Sequence, residues 1–385
     1  MAKIIFLTKY AILLFSTAII AIFLTTCKSI NLLGGKSTQP DVYVAGYIEM
    51  PGDGEDEVVR TVSRFTGRDT TVVIPSESKF YAVVWKNGVA QYLTDGTEYA
   101  HALSVFVYGD DVYVAGYEGD FAMLWKNGVA HKLTDGTVEA RANSVFVSGT
   151  DVFIAGYEGK YDDTEQIAKL WKNGVAQNLT VGAVIAQAIS VFVSGKDVYV
   201  ALNERGPNDG AKIWKNGELQ NLGDAWINSI FVADNDVYVT GSRANRFEFE
   251  GLHYSVPFAQ LWKNGVAQNL FEERDVVLAS KEDLSNVDIS WTNSVFINGN
   301  DLYVLGGVGK FGHIGAVMLW KNGEAKVLHE GFYGERSIFV HNDDVYVTER
   351  RGVFKNGVKQ YLAVDETARG SDAYSVFVKY YQKIN

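Results

Sequence analysis

The stretch Leu124-Trp125-Lys126-Asn127-Gly128-Val129-Ala130 decides how the chain folds, because its central phrase occurs seven times. Trp-Lys-Asn-Gly begins at Trp85, Trp125, Trp171, Trp214, Trp262 and Trp320, and a seventh copy with Phe in place of Trp begins at Phe354. Asn-Gly between two runs of alternating apolar residues is the strongest short signal for a β-hairpin, since a type I′ turn needs positive φ at both central residues. Each copy therefore predicts a hairpin.

Two other phrases keep step with the first. Ser-Val/Ile-Phe-Val/Ile begins at Ser104, Ser144, Ser190, Ser229, Ser294, Ser337 and Ser375. Asp-Val-Tyr-Val or a close variant begins at Asp41, Asp111, Asp151, Asp197, Asp236, Asp301 and Asp344. Seven copies with a period of roughly 40–50 residues are typical of a closed array of β-sheets with about four strands per repeat. The sequence therefore predicts an all-β fold, a single seven-bladed β-propeller with four antiparallel strands per blade.

The phrases also give the order of strands in a blade. Strand A carries Ser-Val-Phe-Val, strand B carries Asp-Val-Tyr-Val, strand C ends in Leu-Trp-Lys, and strand D follows the Asn-Gly turn. The chain begins with a strand B at Asp41 and ends with a strand A at Ser375–Val378. We therefore predict that the C-terminal strand completes the N-terminal blade and removes the free sheet edges. The repeated Trp is interpreted as packing between blades rather than as a ligand platform, because a ligand rarely needs six equivalent copies.

The N-terminus reads as an export signal. Lys3 and Lys9 precede an apolar run, Tyr10–Leu24, that is short for a membrane span and typical of a signal peptide. Cys27, the only cysteine, follows directly and predicts lipidation. The predicted parts are a lipoprotein signal peptide at 1–26, a tether at 27–40, the propeller at 41–379 and a C-terminal tail at 380–385. This places the protein in the bacterial cell envelope, anchored by lipid to the outer membrane; the alternative is an uncleaved signal anchor.

Charge and motifs exclude several classes of function. The formal net charge of −11 makes nucleic acid an unfavourable partner. The six histidines show no metal-ligand spacing, and there is no nucleophile elbow, phosphate loop or dinucleotide fingerprint. The sequence therefore predicts no cofactor and no metal site. With one cysteine, no intramolecular disulfide can form.

Variation between repeats is confined to one face of the predicted disc. The B–C and D–A connections differ in length, whereas the A–B and C–D turns do not. Insertions on one face usually mark the binding face of a repeat protein. Three insertions stand out, at Ile48–Lys79, Ser242–Phe258 and Phe271–Ser290, and Val58–Ile74 within the first predicts an extra hairpin. The alternative is that each insertion is a solvated loop.

A second signal comes from two positions that differ from repeat to repeat, although the residues around them are nearly constant. The residues at these two positions are called the mouth ring. Three residues before the conserved Ser of strand A stand His101, Arg141, Gln187, Trp226, Trp291, Gly334 and Asp372. At the end of strand B stand Tyr47, Tyr117, Tyr157, Asn203, Ser242, Gly307 and Arg350. Strand A is innermost in a propeller, so these side chains are predicted at the rim of the central channel. A constant frame with variable side chains is how repeat proteins bind ligands, and random drift at exposed positions is the alternative.

The blade phrases resemble those of bacterial envelope β-propeller lipoproteins of uncharacterised function, with repeats of the form Val-Ala-Gly-Tyr … Leu-Trp-Lys-Asn-Gly. The resemblance covers about residues 41–379 and implies the fold. The chain lacks the Trp-Asp, kelch, Asp-box and quinoprotein signatures of better-known propellers. The resemblance therefore implies no catalytic residues.

Two functions remain open from the sequence. The first is a binding or scaffolding module that recognises a glycan, peptide or envelope protein on the B–C/D–A face, with ligand-binding residues His101, Arg141, Gln187, Trp226, Trp291, Asp372, Tyr47, Tyr117, Tyr157 and Arg350. The second is a glycan-active hydrolase or lyase with its carboxylates at the channel mouth. Facing carboxylates ~5–10 Å apart would favour the enzyme. Only Asp372 is acidic in the strand A half of the mouth ring, which favours binding.

Overall fold

The computed structural model describes residues 39–54, 57–62, 69–74, 77–159, 165–181, 185–205, 210–249, 252–270, 288–310, 315–331 and 336–380. One compact unit spans Asp41–Lys379. Every helix or strand assigned in the described part is a β-strand. None of the described segments forms a helix with the length and hydrophobicity needed to cross a membrane.

Thirty strands follow one another along the described chain. In the first half they are β1 (Asp41–Met50), β2 (Glu57–Val62), β3 (Asp69–Ile74), β4 (Lys79–Lys86), β5 (Val89–Tyr92), β6 (Ala100–Tyr108), β7 (Asp111–Glu118), β8 (Phe121–Lys126), β9 (Val129–Lys132), β10 (Ala140–Ser148), β11 (Asp151–Glu158), β12 (Ile167–Lys172), β13 (Val175–Asn178), β14 (Ile185–Ser194), β15 (Asp197–Arg205) and β16 (Gly210–Lys215). In the second half they are β17 (Glu218–Gly223), β18 (Ala225–Ala233), β19 (Asp236–Phe249), β20 (Leu252–Lys263), β21 (Val266–Asn269), β22 (Asp288–Asn298), β23 (Asp301–Lys310), β24 (Ala316–Lys321), β25 (Glu324–Glu330), β26 (Ile338–His341), β27 (Asp344–Glu349), β28 (Gly352–Lys355), β29 (Val358–Tyr361) and β30 (Gly370–Lys379).

Twenty-eight of these strands build seven four-stranded antiparallel sheets, which confirms the predicted propeller. Blade 1 has the order β30-β1-β4-β5, and blades 2 to 7 are β6–β9, β10–β13, β14–β17, β18–β21, β22–β25 and β26–β29. The first strand of each order is strand A, next to the channel. In blade 1 that strand comes from the C-terminus, and β30 pairs with β1 from Asp41↔Lys379 to Glu49↔Gly370. The predicted ring closure is therefore confirmed.

The conserved Ser of strand A joins each blade to the next. Its Oγ accepts a hydrogen bond from the backbone N–H of the residue that follows the Ser in the neighbouring blade. The N–H to Oγ pairs are Val145–Ser104 (3.2 Å), Val191–Ser144 (3.2 Å), Ile230–Ser190 (3.4 Å), Val295–Ser229 (3.3 Å), Ile338–Ser294 (3.4 Å), Val376–Ser337 (3.3 Å) and Val105–Ser375 (3.3 Å). The seventh bond closes the circle, so the full set of these hydrogen bonds forms only when all seven blades are present.

The conserved Phe of strand A forms a second closed circle. Centroids of neighbouring rings are 4.6–5.2 Å apart, and the rings are tilted to each other, which is a favourable arrangement for aromatic pairs. The successive pairs are Phe106–Phe146, Phe146–Phe192, Phe192–Phe231, Phe231–Phe296, Phe296–Phe339, Phe339–Phe377 and Phe377–Phe106. Seven aromatic rings therefore line the channel at one level.

The Trp-Lys-Asn-Gly and Asp-Val-Tyr-Val phrases are explained by contacts between strands B and C. In blade 2, Asn127 has φ 52° and Gly128 has φ 82°, as a type I′ turn requires. The Asn127 side chain accepts a hydrogen bond from the Val112 N–H and donates one to the Asp111 carboxylate, both at 2.8 Å. Lys126 contacts the same carboxylate at 2.8 Å, and this contact lowers the pKa of Asp111. The same hydrogen bonds and ion pair recur in the other six blades.

The Trp of this phrase packs between blades, as predicted. The six indoles are buried, with 0–6% of their surface exposed. In blade 7 the position is taken by Phe354, and a cavity of about 310 Å³ lies beside it. Leu319 and Leu328 of blade 6 and Val347 of blade 7 also line this cavity. The one interface that has Phe in place of Trp therefore has an open pocket beside it.

The insertions extend two blades. β2 and β3 form the predicted extra hairpin, with register Glu57↔Ile74 to Val62↔Asp69. Residues 63–68, which connect the two strands, lie outside the described residues. The insertion in blade 5 lengthens β19 and β20 into a hairpin paired from Tyr238↔Lys263 to Phe249↔Leu252. Residues 271–287 of the third insertion lie outside the described residues.

Candidate functional site

The two halves of the mouth ring are direct cross-strand neighbours. In six blades the residue three positions before the Ser of strand A pairs with the residue at the end of strand B. The pairs are Tyr47↔Asp372, His101↔Tyr117, Arg141↔Tyr157, Gln187↔Asn203, Trp226↔Ser242 and Trp291↔Gly307. In blade 7, Arg350 follows the end of β27 and is exposed, and Gly334 lies outside the described residues. Each of the six pairs therefore occupies the same level at one end of the channel.

A β-bulge adds a third residue to this level that the sequence analysis missed. The register of strand A skips the residue directly before the conserved Ser. A bulge redirects the side chain of the unpaired residue. The skipped residues are Leu103, Asn143, Ile189, Asn228, Asn293 and Tyr374. Asn143 and Asn228 donate to backbone carbonyls of the next blade, at 2.9 and 2.6 Å, whereas Tyr374 joins the aromatic groups described next.

Six aromatic side chains of blades 1 and 2 form a contiguous aromatic sector of the mouth: Tyr47, Phe80, Tyr99, His101, Tyr117 and Tyr374. At its centre the rings of Tyr47 and His101 are stacked, with centroids 4.1 Å apart and 4° between the planes. The Tyr374 hydroxyl lies 3.2 Å from His101 Nδ1. Tyr99, which is 46% exposed, lies over His101 at 4.8 Å and over Tyr117 at 5.9 Å. The sector therefore presents Tyr99 to solvent and holds His101 beneath it.

His101 is held in its neutral form. Burial lowers its pKa to about 3, and the positive charges of Arg141 and Arg336 act in the same direction. Its Nε2 is buried without a hydrogen-bond partner among the described residues. When the Tyr374 hydroxyl donates to Nδ1, the ring proton sits on Nε2, and this nitrogen is a donor for a ligand or a water molecule. An unsatisfied buried group of this kind is unfavourable by about 1–3 kcal/mol.

Two arginines flank the aromatic sector. The Arg141 guanidinium lies 3.5 Å from the centre of the Tyr117 ring, and its Nη2 donates to Glu139 at 2.6 Å. Its Nε donates to the Tyr157 hydroxyl at 3.1 Å, while Nη1 is buried without a partner among the described residues. On the other side, the guanidinium of Arg336 lies 4.4 Å from the Tyr374 ring centre. Each arginine therefore forms a cation–π contact with a sector tyrosine.

Three carboxylates of the mouth, Asp372, Glu349 and Glu139, are each close to a cation. Asp372 lies 3.7 Å from Arg336, and Glu349 lies 2.5 Å from Lys359. Burial raises the pKa of Asp372, and the nearby Arg336 opposes this shift. Glycosidase chemistry uses two carboxylates, one acting as an acid and the other as a nucleophile or base. Glu139 lies 2.6 Å from Arg141, so this carboxylate is also engaged by a cation.

The remaining mouth positions differ in exposure. Tyr117 and Tyr157 are buried, with 5% and 4% exposed, beneath Arg141. Asn203 is also buried and exchanges two hydrogen bonds with the backbone of Ile227, at 2.8 and 2.9 Å. Gln187 donates to the Gln166 side chain at 2.8 Å. These four residues support the mouth from below, and the structure brings them to the predicted level without exposing them fully.

Trp226 and Trp291 lie on the opposite side of the mouth from the aromatic sector. Trp226 is 38% exposed, and the Arg205 guanidinium lies 4.9 Å from its ring centre. Trp291 lies against Gly307, where a Cβ atom would approach its ring to 2.2 Å. Gly307 therefore makes room for the indole. No cluster of three or more His, Cys, Asp or Glu side chains suited to a metal ion occurs among the residues that the structure describes.

Comparisons with known proteins add little sequence similarity. No family model matches the chain, and no curated protein matches it significantly. The hydrazine synthase of Kuenenia stuttgartiensis aligns at 11% identity with a TM-score of 0.45 over 89% of this chain, which spans 47% of that protein. A periplasmic gluconolactonase of Pseudomonas aeruginosa aligns at 10% identity with a TM-score of 0.37, covering 88% of this chain and 99% of the other. A Trypanosoma rangeli sialidase aligns at 9% identity with a TM-score of 0.34, covering 87% of this chain and 58% of the other. These similarities transfer no residue, ligand or activity to this chain.

Proposed function

We propose that this β-propeller is an exported, lipid-anchored binding module of the bacterial cell envelope that holds a glycan, peptide or protein segment on the B–C/D–A face. The observation that carries the proposal is the composition of the channel mouth. Tyr99, Trp226 and Arg336 reach solvent there, while three neighbouring carboxylates are close to cations. Aromatic and arginine side chains dominate the energetics of binding surfaces.

Binding is tested with the soluble domain, residues 28–385, on glycan and peptide arrays. We expect at least one ligand class to be retained by the wild type and lost when Tyr99, Trp226 and Arg336 are all replaced with Ala. These side chains are exposed or half-buried, so the ring should keep its melting temperature. Lys196→Ala is the matched control, since it removes a cation from an exposed A–B turn on the opposite face. A ligand whose binding is lost in Lys196→Ala and retained in the triple variant would place the site on the A–B/C–D face and contradict the proposal.

The membrane anchor is tested separately through Cys27. We expect a clickable fatty acid to label the full chain in a bacterial host and to give no label in Cys27→Ala. The motivation is the charged start, the short apolar run and the single cysteine that follows it. Both proteins keep the same propeller, so expression level serves as the control. Equal labelling of the two proteins would refute lipidation at Cys27.

A further inference from the structure

A cavity of about 310 Å³ opens on the B–C/D–A face between blades 4 and 5, away from the aromatic sector. Its volume is at the lower end of the ~300–1,000 Å³ typical of small-ligand pockets. Residues that line it and bear on its chemistry are Glu204, Arg205, Asp224, Trp226, Ser242, Arg243, Arg246 and Ser255. The lining therefore combines an indole, three guanidinium groups and two hydroxyls.

Trp226 differs from the tryptophans of the repeat. Those six are at most 6% exposed, whereas Trp226 is 38% exposed and lies on the innermost strand, β18, opposite Ser242. The Arg205 guanidinium lies 4.9 Å from the centre of the ring, so a ligand in contact with the indole also comes within reach of this cation. An exposed Trp in a cavity is not needed for blade packing. It offers a flat apolar surface to a ligand ring.

The charges of the cavity are unbalanced toward positive. Asp224 is engaged by Arg246 at 3.2 Å through both guanidinium nitrogens. Glu204 is engaged by Lys212 at 2.6 Å, and both of these side chains are less than 10% exposed. Arg205 is exposed and has no ion pair with any residue in the described part of the chain. A positive cavity on a chain with a net charge of −11 favours an anionic ligand group.

We infer that the cavity between blades 4 and 5 binds the acidic sugar residue of an anionic glycan, with the sugar ring against Trp226 and the carboxylate at Arg205. This inference rests on the proposed function and narrows it to one ligand class. The C–H face of a pyranose packs on an indole, and a planar guanidinium suits a carboxylate. Ser242 and Ser255 supply hydroxyls for hydrogen bonds to the sugar. A compact cavity fits one ring better than an extended peptide.

Titration of the soluble domain with oligogalacturonate tests the inference, with a neutral galacto-oligosaccharide of equal length as the comparison ligand. We expect saturable binding of the uronate by calorimetry, a change in tryptophan fluorescence, and weakening at high salt. Arg205→Ala should weaken binding on the order of ten- to a hundredfold, which corresponds to the loss of a charge-assisted hydrogen bond. Trp226→Phe should remove the fluorescence change and Trp226→Ala should also weaken binding. Lys196→Ala should leave the affinity unchanged.

Three outcomes would overturn the inference. Equal affinity for the neutral oligosaccharide would show that the site does not require an acidic sugar. Equal affinity for oligoglutamate would show that it does not require a sugar. Uronate binding that Arg205→Ala and Trp226→Ala both leave unchanged would exclude this cavity. If the arrays identify another ligand while uronate does not bind, the inference fails and the proposed function stands. If neither arrays nor titration show binding, both fail.

Discussion

A protein that ends at residue 370 is expected not to form a soluble, folded ring. The deletion of residues 371–385 removes almost all of β30, which forms nine register pairs with β1 and supplies the innermost strand of blade 1. It also removes Ser375 and Phe377, so that the circle of serine hydrogen bonds and the circle of phenylalanine rings both open. Strand β1 then becomes an unpaired edge, which promotes aggregation. Solubility after expression and circular dichroism on heating measure the effect.

A shorter truncation is the control for this deletion. Removal of residues 381–385 leaves the whole of β30 in place, and the melting temperature should be unchanged. The contrast matters because each blade of a closed ring contacts two neighbours, whereas the end of an open array contacts one. A melting transition shared by the long truncation and the wild type would contradict closure by β30.

The architecture was predictable because the same pattern of strands and turns occurs seven times in the sequence. Seven Asn-Gly turns give seven C–D hairpins, and a chain that begins with strand B and ends with strand A leaves one arrangement that pairs its ends. The structure adds the chemical reason why the same residues recur in each repeat. Ser104 and its equivalents bond the next blade, and Asn127 and its equivalents hold the strand B carboxylate. These contacts recur, so the residues recur.

The site was less predictable because it depends on contacts that occur once. Tyr47, His101 and Tyr374 come from distant parts of the sequence and meet only in the closed ring. The mouth level was predicted from the variable positions that precede the Ser of strand A and end strand B. The bulge that adds Tyr374 to this level inserts one residue, which that spacing did not include. Tyr117 is buried beneath Arg141 in a cation–π contact, and the spacing of residues in the sequence does not predict this contact. The variable bulge position before the conserved Ser was the signal available in the sequence.

Replacing Trp171 with Ala is expected to destabilise the ring by about 3–5 kcal/mol, the range for deleting a buried Trp or Phe side chain. Its indole is fully buried and packs against Tyr113 and Ala115 of blade 2 and against Ile154 of its own blade. The indole Nε1 has no hydrogen-bond partner among the described residues, so the loss comes from packing alone. Denaturant unfolding followed by circular dichroism measures the change in the free energy of unfolding.

A reciprocal pair of variants separates packing from any special role of this Trp. Trp171→Phe should be less destabilising than Trp171→Ala, because it reproduces the side chain that blade 7 uses naturally at Phe354. Phe354→Trp should instead stabilise the ring by ~0.5–2 kcal/mol, since the larger ring fills the cavity of about 310 Å³ between blades 6 and 7. Loss of stability in Phe354→Trp would show that the blade 7 interface is shaped for Phe. Unchanged stability in Trp171→Ala would contradict the assignment of the repeated Trp to blade packing.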